Sequence, residues 1–310
     1  MLMERRSDRK LVFVQKTLYI KNILLIAKIM DWFKGRLFWG TVVGLGITHL
    51  GSGSRGNAAL LSSDYCNVLV DCGFSLKQTE KRLEIAGVNP SSIDSIVVTH
   101  HHKDHSGSAL RASKKWDSSL HCNAITASRM GWDVDGECSV FGNLERIEIG
   151  AKLSILTVPV PHDDSDNVAI IASDGSGNRA GIVTDLGEAT NDLIGHLSTC
   201  SHISIEANYD HDRLMGGPYP DSLKRRISGR GGHLSNYQTA GILSRVMSPS
   251  LDSIVLCHLS EKNNAPHVAE SEVLMAIGER FEGSLSISKQ TGPEFSYWCG
   301  ESGTDILASA

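Results

Sequence analysis

The segment that most restricts this chain is Thr99-His-His-His-Lys-Asp-His105, which closes the apolar run Ser95-Ile-Val-Val-Thr99. Within it stands the pattern His100-x-His102-x-Asp104-His105. On a tight loop, side chains two apart turn into one pocket, while Asp104 and His105 reach a neighbouring point. That supplies two adjacent ligand sets, as a two-metal centre requires. Histidine-rich loops also occur on surfaces, and His101 reads as such a bystander. Further candidates follow downstream: His162 after the run 153–161, Asp185 after Gly181-Ile-Val-Thr184, and His258 after Ser253-Ile-Val-Leu-Cys257. A lone histidine at a strand end is more often satisfied or solvent-facing than a ligand. Coordinating residues repeated in that context, in one chain with the cluster, favour a metal site.

From residue 42 onward, short β-like runs alternate with helical stretches. Strands are expected at 43–50, 66–71, 95–99, 153–160, 168–173, 179–184, 203–205, 253–257 and 285–287. Helices are expected at 75–86, with Ser75 as N-cap and Gly87 as terminator, and at 189–197, 235–246 and 268–277. Strands early and late with helices between them suggest two sheets sandwiched between helices, an α/β architecture.

Composition narrows the setting. At 310 residues the chain can bury a large core. A net charge of -5 gives no global field for nucleic acid, so a polyanion has to meet local basic patches. The seven cysteines include no CxxC pair, which argues against a zinc ribbon and a disulfide framework and for reduced thiols in a cytoplasmic protein. Residues 1–41 read as a basic extension to the domain at 42–310. Lys21 and Lys28 interrupt its apolar stretch and argue against a spanning helix. It reads as a surface amphipathic helix, a membrane-surface or targeting segment, or sequence upstream of a start at Met30, and no chemistry is expected of it.

The order HxHxDH, His162, Asp185, His258 resembles the metallo-β-lactamase-fold hydrolases, over the stretch from Val43 to the C-terminus. The resemblance implies an αββα four-layer sandwich and two divalent ions, zinc or manganese. It places His100, His102 and His162 on one ion and Asp104, His105 and His258 on the other, with Asp185 bridging. Asp71, in Val70-Asp-Cys-Gly73, matches the early Asp that braces the ligand loop. A carboxylate at the bridging position, where many β-lactamases carry Cys, disfavours antibiotic degradation.

Spacing separates the branches. The interval from Asp185 to His258 is too short for the β-CASP insertion of RNase J-like and cleavage-factor nucleases. That from His162 to Asp185 leaves no room for the tRNA-clasping arm of typical tRNase Z enzymes. Three stretches, Gly51-Ser-Gly-Ser-Arg-Gly-Asn57, Ser204-Ile-Glu-Ala-Asn-Tyr-Asp210 with Gly232-His-Leu-Ser-Asn236, and His258-Leu-Ser-x-x-Asn-Asn-x-Pro266, resemble the WalJ/YycJ-type exonuclease branch. That likeness implies a phosphodiesterase, a 5′-to-3′ exonuclease on DNA using a metal-bridging hydroxide, with Asp104 in the catalytic set. Glu206 and His233 resemble the charge relay of tRNase Z, where the histidine protonates the leaving oxygen; alternatively His233 caps the helix starting near Ser235. Lys224, Arg225 and Arg226 are candidate phosphate contacts, though a charge run is usually a solvated face. Asn57 is a possible further contact, although glycines 51–56 read first as a structural turn. The same scaffold also serves small-molecule cyclic phosphodiesterases of PhnP type and glyoxalase II-type thioesterases or lactonases, so fold alone does not decide.

Overall fold

The computed structural model describes residues 44–63, 66–150, 152–163 and 166–293, and the backbone of 295–299. The basic extension 1–41 lies outside the described residues. Those residues form two seven-stranded sheets. In chain order the strands are β1 (Leu45–Gly51), β2 (Ala58–Ser62), β3 (Asn67–Val70), β4 (Ser95–Val97), β5 (Ser119–Asn123), β6 (Ser139–Phe141), β7 (Arg146–Ile149), β8 (Leu153–Pro159), β9 (Val168–Ser173), β10 (Arg179–Val183), β11 (His202–Glu206), β12 (Ser253–Cys257), β13 (Ser284–Ile287) and β14 (Phe295–Cys299). One sheet runs β14-β1-β2-β3-β4-β5-β6, the other β13-β12-β11-β10-β9-β8-β7.

Alternation of side chains assigns the layers. In β9, Val168, Ile170 and Ala172 face the first sheet, where they meet Leu45, Ile47, Leu61 and Val68. Ala169 and Ile171 face the other way, onto Leu193, Leu197, Leu243 and Val273 of the helices Asn191–Leu197, Asn236–Val246 and Pro266–Ile277. The first sheet's outer face packs Leu60, Leu69 and Ile96 against Leu83, Ala112, Trp116 and Ala127 of the helices Leu76–Ile85, Ala109–Trp116 and Ala124–Met130. The result is helix, sheet, sheet, helix, the αββα sandwich expected of the resemblance. Ser75 caps its helix through the Gln78 N–H, and Ser235 forms a reciprocal capping box with Gln238. Each expected strand and helix has a counterpart. Among the described residues, strands β2, β5, β6, β7 and β14 and five α-helices have no counterpart in the expectations.

Between the sheets a polar thread crosses the apolar layer. His49 and His202 both bond Ser204 Oγ at 2.7 Å through Nε2, and His202 Nδ1 meets Ser253 Oγ at 3.1 Å. Burial pushes His49 down to about 4 and holds His202 well below the ordinary histidine range, His49 adding to the effect. An unfolded histidine takes a proton near pH 6.5, so between there and pH 4 the unfolded chain binds the extra proton and stability falls with pH. For His49 the loss reaches about 3 kcal/mol at pH 4. Urea unfolding of wild type and His49→Gln at pH 7, 5.5 and 4.5 is expected to show a weaker acid loss in the variant. Parallel pH dependences refute this.

Candidate metal centre

The parallel strands fix where the site lies. β10, β11 and β12 pair in parallel, with Val183 opposite Ile205 and Glu206 opposite Cys257, so they end at one rim. Asp185, Glu206 and His258 stand at those ends. β3 and β4 are likewise parallel, Val70 opposite Val97, and deliver Asp71 and the loop from His100. His162 follows β8. Asp71, Asp185 and His258 take left-handed backbone conformations, with φ of 61°, 57° and 53°. Such angles disfavour side-chain-bearing residues and cluster at functional sites.

Two donor sets result. His100 Nε2, His102 Nδ1 and His162 Nε2 converge, His102 Nδ1 lying 3.0 Å from His100 Nε2 and 3.3 Å from His162 Nε2. Ligand nitrogens around a tetrahedral zinc with bonds of 2.0–2.1 Å stand about 3.3 Å apart. Beside them, His105 Nε2 and His258 Nε2 lie 3.6 and 3.7 Å from Asp104 Oδ2. Asp185 lies between the sets, Oδ1 3.8 Å from His162 Nε2 and Oδ2 2.6 Å from His105 Nε2. Close as that last contact is, it lacks hydrogen-bond geometry. Buried Asp185 Oδ2 and His258 Nε2 have no hydrogen-bond partner among the described residues. Buried lone-pair donors left without partners in this way fit a cation.

Electrostatics agree. Burial and the neighbouring His105 hold His100 well below the usual range, keeping it neutral as a ligand must be. Burial also draws His105 and His258 down, yet their carboxylate neighbours outweigh it. Asp185 and Asp71 hold His105 well above the usual range, and Asp185, Asp104 and Glu206 push His258 up to about 10. The carboxylates thus demand positive charge here, which bound metal would supply instead of protons.

Outer nitrogens of the rings are also engaged. Asp71 Oδ2 lies 2.6 Å from His105 Nδ1 and its other oxygen accepts the Thr99 N–H at 2.8 Å. His162 Nδ1 meets the Gly232 carbonyl at 3.0 Å. Glu206 is fully buried and bonds both His258 Nδ1 at 2.7 Å and His233 Nδ1 at 2.8 Å. Sequence reasoning paired Glu206 with His233 and missed its hold on His258. Ser235, not His233, caps the following helix.

A cleft of about 260 Å³ opens over the candidate donor atoms. His102, Asp104, His162, Asp185, His233 and His258 line it, with Arg226 at one side. The other expected contacts fall elsewhere. Asn57 is buried beneath the ligand loop, its amide turned to the Gly53 carbonyl and to His105 Nε2, so it braces instead of reaching the cleft. Lys224 Nζ donates to the Met215 carbonyl at 2.7 Å, and neither Lys224 nor Arg225 lines the cleft. A helix carries the run, and it sends Arg226 to the cleft and Lys224 to a backbone carbonyl. His101 joins none of the candidate donor sets. Three supporting residues were not foreseen: Asp163 beside Arg226, Ser52, whose hydroxyl accepts the His258 N–H, and Asn167, whose amide holds the Asp185 carbonyl. Asp163 follows a candidate ligand directly, a signal that was available; Asn167 offers none.

The family model of the metallo-beta-lactamase superfamily matches residues 51–216, more than half of the chain. The chain belongs to this superfamily. It is a hydrolase of that fold. The protein is 29% identical over 259 residues to exodeoxyribonuclease YycJ of Bacillus anthracis, covering 77% of this chain and 94% of that one. It is 26% identical to exodeoxyribonuclease WalJ of Streptococcus pneumoniae, covering 76% and 90%. In structure it resembles the metallo-beta-lactamase fold protein YhfI of Bacillus subtilis, with a TM-score of 0.63 at 16% identity over 83% of this chain and 100% of that one. Superfamily members bind divalent metals, and the clusters here are able to hold them.

A Cβ on Gly73 would lie 1.6 Å from the Asp104 carbonyl oxygen, so only glycine lets β3's exit pass behind the ligand loop. Gly73→Ala is expected to cost about 1–3 kcal/mol of stability by overpacking. Asp71→Ala is expected to weaken metal binding about 10- to 100-fold. Thermal unfolding and metal titration of the purified variants check both. Unchanged affinity in Asp71→Ala contradicts the bracing role.

Proposed function

We propose that this hydrolase is a dinuclear, metal-dependent phosphodiesterase acting on DNA as a 5′-to-3′ exonuclease. His100, His102 and His162 would hold one divalent ion, zinc or manganese, and Asp104, His105 and His258 would hold the other, with Asp185 beside both sets. When bound, the ions make a water nucleophilic at neutral pH and offset charge on the phosphoryl oxygens. The chain's own residues do the rest. Asp71, Glu206 and the Gly232 carbonyl orient the ligand rings, and Asn57 and Ser52 fasten the loops beneath them.

The observation that carries a phosphodiester over a thioester is the Glu206–His233 pair. His233 Nδ1 is bound to the buried carboxylate, and the ring lines the cleft 22% exposed, which leaves Nε2 as its open edge. A histidine so held keeps one orientation and donates a proton from Nε2 to a departing alkoxide oxygen. Thiolate leaving groups, being weak bases, need no such donor. The exodeoxyribonuclease names of the relatives support DNA as the polymer.

Purified protein with zinc or manganese is expected to cleave 5′-phosphorylated duplex DNA and bis(p-nitrophenyl) phosphate but not a thioester. Chelation should abolish turnover and metal should restore it. Cleavage of the thioester alone overturns the assignment. His233→Ala is expected to lower kcat on DNA by about 10²–10⁴ with bound metal unchanged; metal content lost in step with activity rules out the proton-donor role.

A further inference from the structure

The helix Asp221–Ser228 turns one face to the cleft. Leu223, Arg226 and Ile227, three and four positions apart, line it. Among the described lining residues, Arg226 is the one permanently charged cation. Its Nη2 donates to Asp163 Oδ2 at 2.8 Å, and that oxygen lies 3.9 Å from His102 Nε2. His102 turns its other nitrogen, Nδ1, to His100 and His162. The guanidinium therefore stands a carboxylate and the width of an imidazole beyond the metal-facing nitrogens. A guanidinium offset in this way suits the next phosphate along a strand better than the one under attack.

Asp163 is firmly placed. Its N–H donates to the Gly231 carbonyl at 2.8 Å, its φ is 42°, and a Cβ on Gly231 would lie 2.9 Å from its nitrogen. The ion pair, by contrast, is open to solvent, with side chains 65% and 29% exposed. A pair this exposed contributes little to stability. It aims the guanidinium and leaves most of its N–H fork for an anion, which Arg holds in bidentate fashion.

We infer that Arg226, positioned by Asp163, forms a subsite for the phosphate one nucleoside away from the scissile link, with Leu223 and Ile227 as the apolar wall beside the intervening nucleoside. This rests on the phosphodiesterase reading and deepens it: the preferred substrate carries two successive phosphates. The second phosphate is either a terminal monoester or the next internal diester, which share the chemistry Arg226 reads. Asp163 touches neither and acts through the arginine.

The test compares kcat/KM for a thymidine dinucleoside monophosphate, the same dimer 5′-phosphorylated, and the thymidine trinucleoside diphosphate. Wild type, Arg226→Ala, Arg226→Lys and Asp163→Asn are assayed on each, with bound metal measured. Wild type is expected to gain at least tenfold when either second phosphate is present, and the substrate that gains tells a terminal from an internal group. Arg226→Ala should flatten that gain, mainly through KM, and Arg226→Lys should recover part of it. Asp163→Asn should diminish the gain with metal retained. A wild type that cleaves all three equally well overturns the subsite alone. So does an Arg226→Ala that loses the same factor on every substrate. No cleavage of any phosphodiester removes the underlying reading and the subsite together.

Discussion

Imidazoles and carboxylates crowded into a dry pocket cannot satisfy one another by hydrogen bonds alone, and the rest of this structure is arranged around that fact. Histidine lone pairs from His100, His102 and His162 point at a common centre. Asp185 and His258 keep buried atoms without hydrogen-bond partners. Uncompensated burial of such groups is costly, so the arrangement persists in a fold able to resist it. The resistance comes from two sheets whose parallel strands end together and whose apolar faces lock on both sides.

Rigidity is then passed outward through the nitrogen of each ring that does not face the centre. Asp71 holds His105, Thr99 Oγ1 lies 3.1 Å from His100 Nδ1, and the Gly232 carbonyl holds His162. Glu206 serves both His258 and His233, so one carboxylate sets the orientation of a proposed ligand and of the proposed proton donor. It also accepts the N–H groups of Leu186 and Leu234, which ties it to the Asp185 loop and to the segment after His233. The elements a reaction needs in concert are therefore held through one buried group.

Much of this was legible in the sequence because strand ends carry their own punctuation. An apolar run followed by His or Asp marks both the strand and the residue it delivers, which is why His162, Asp185 and His258 were readable without coordinates. Short or polar strands such as β6 and β7 carry no such contrast, and their pairing is decided by neighbours distant in the chain. Helical phase was the other blind spot. Lys224, Arg225 and Arg226 look alike as a run, yet the helix sends Arg226 to the cleft and Lys224 to a backbone carbonyl. Asn57 stayed between two readings because a polar residue in a glycine loop reads the same whether it faces solvent or braces a buried ring.

The left-handed turns at Asp71, Asp185 and His258 set fold and chemistry against each other. Each holds a side chain where the backbone by itself prefers glycine, a burden of about 1 kcal/mol per position. Selection on backbone ease alone would favour glycine at these three points and erase the centre. Stability screens on this scaffold need to be read alongside metal content, because a relaxed backbone at these turns comes at the expense of what the sandwich was built to hold.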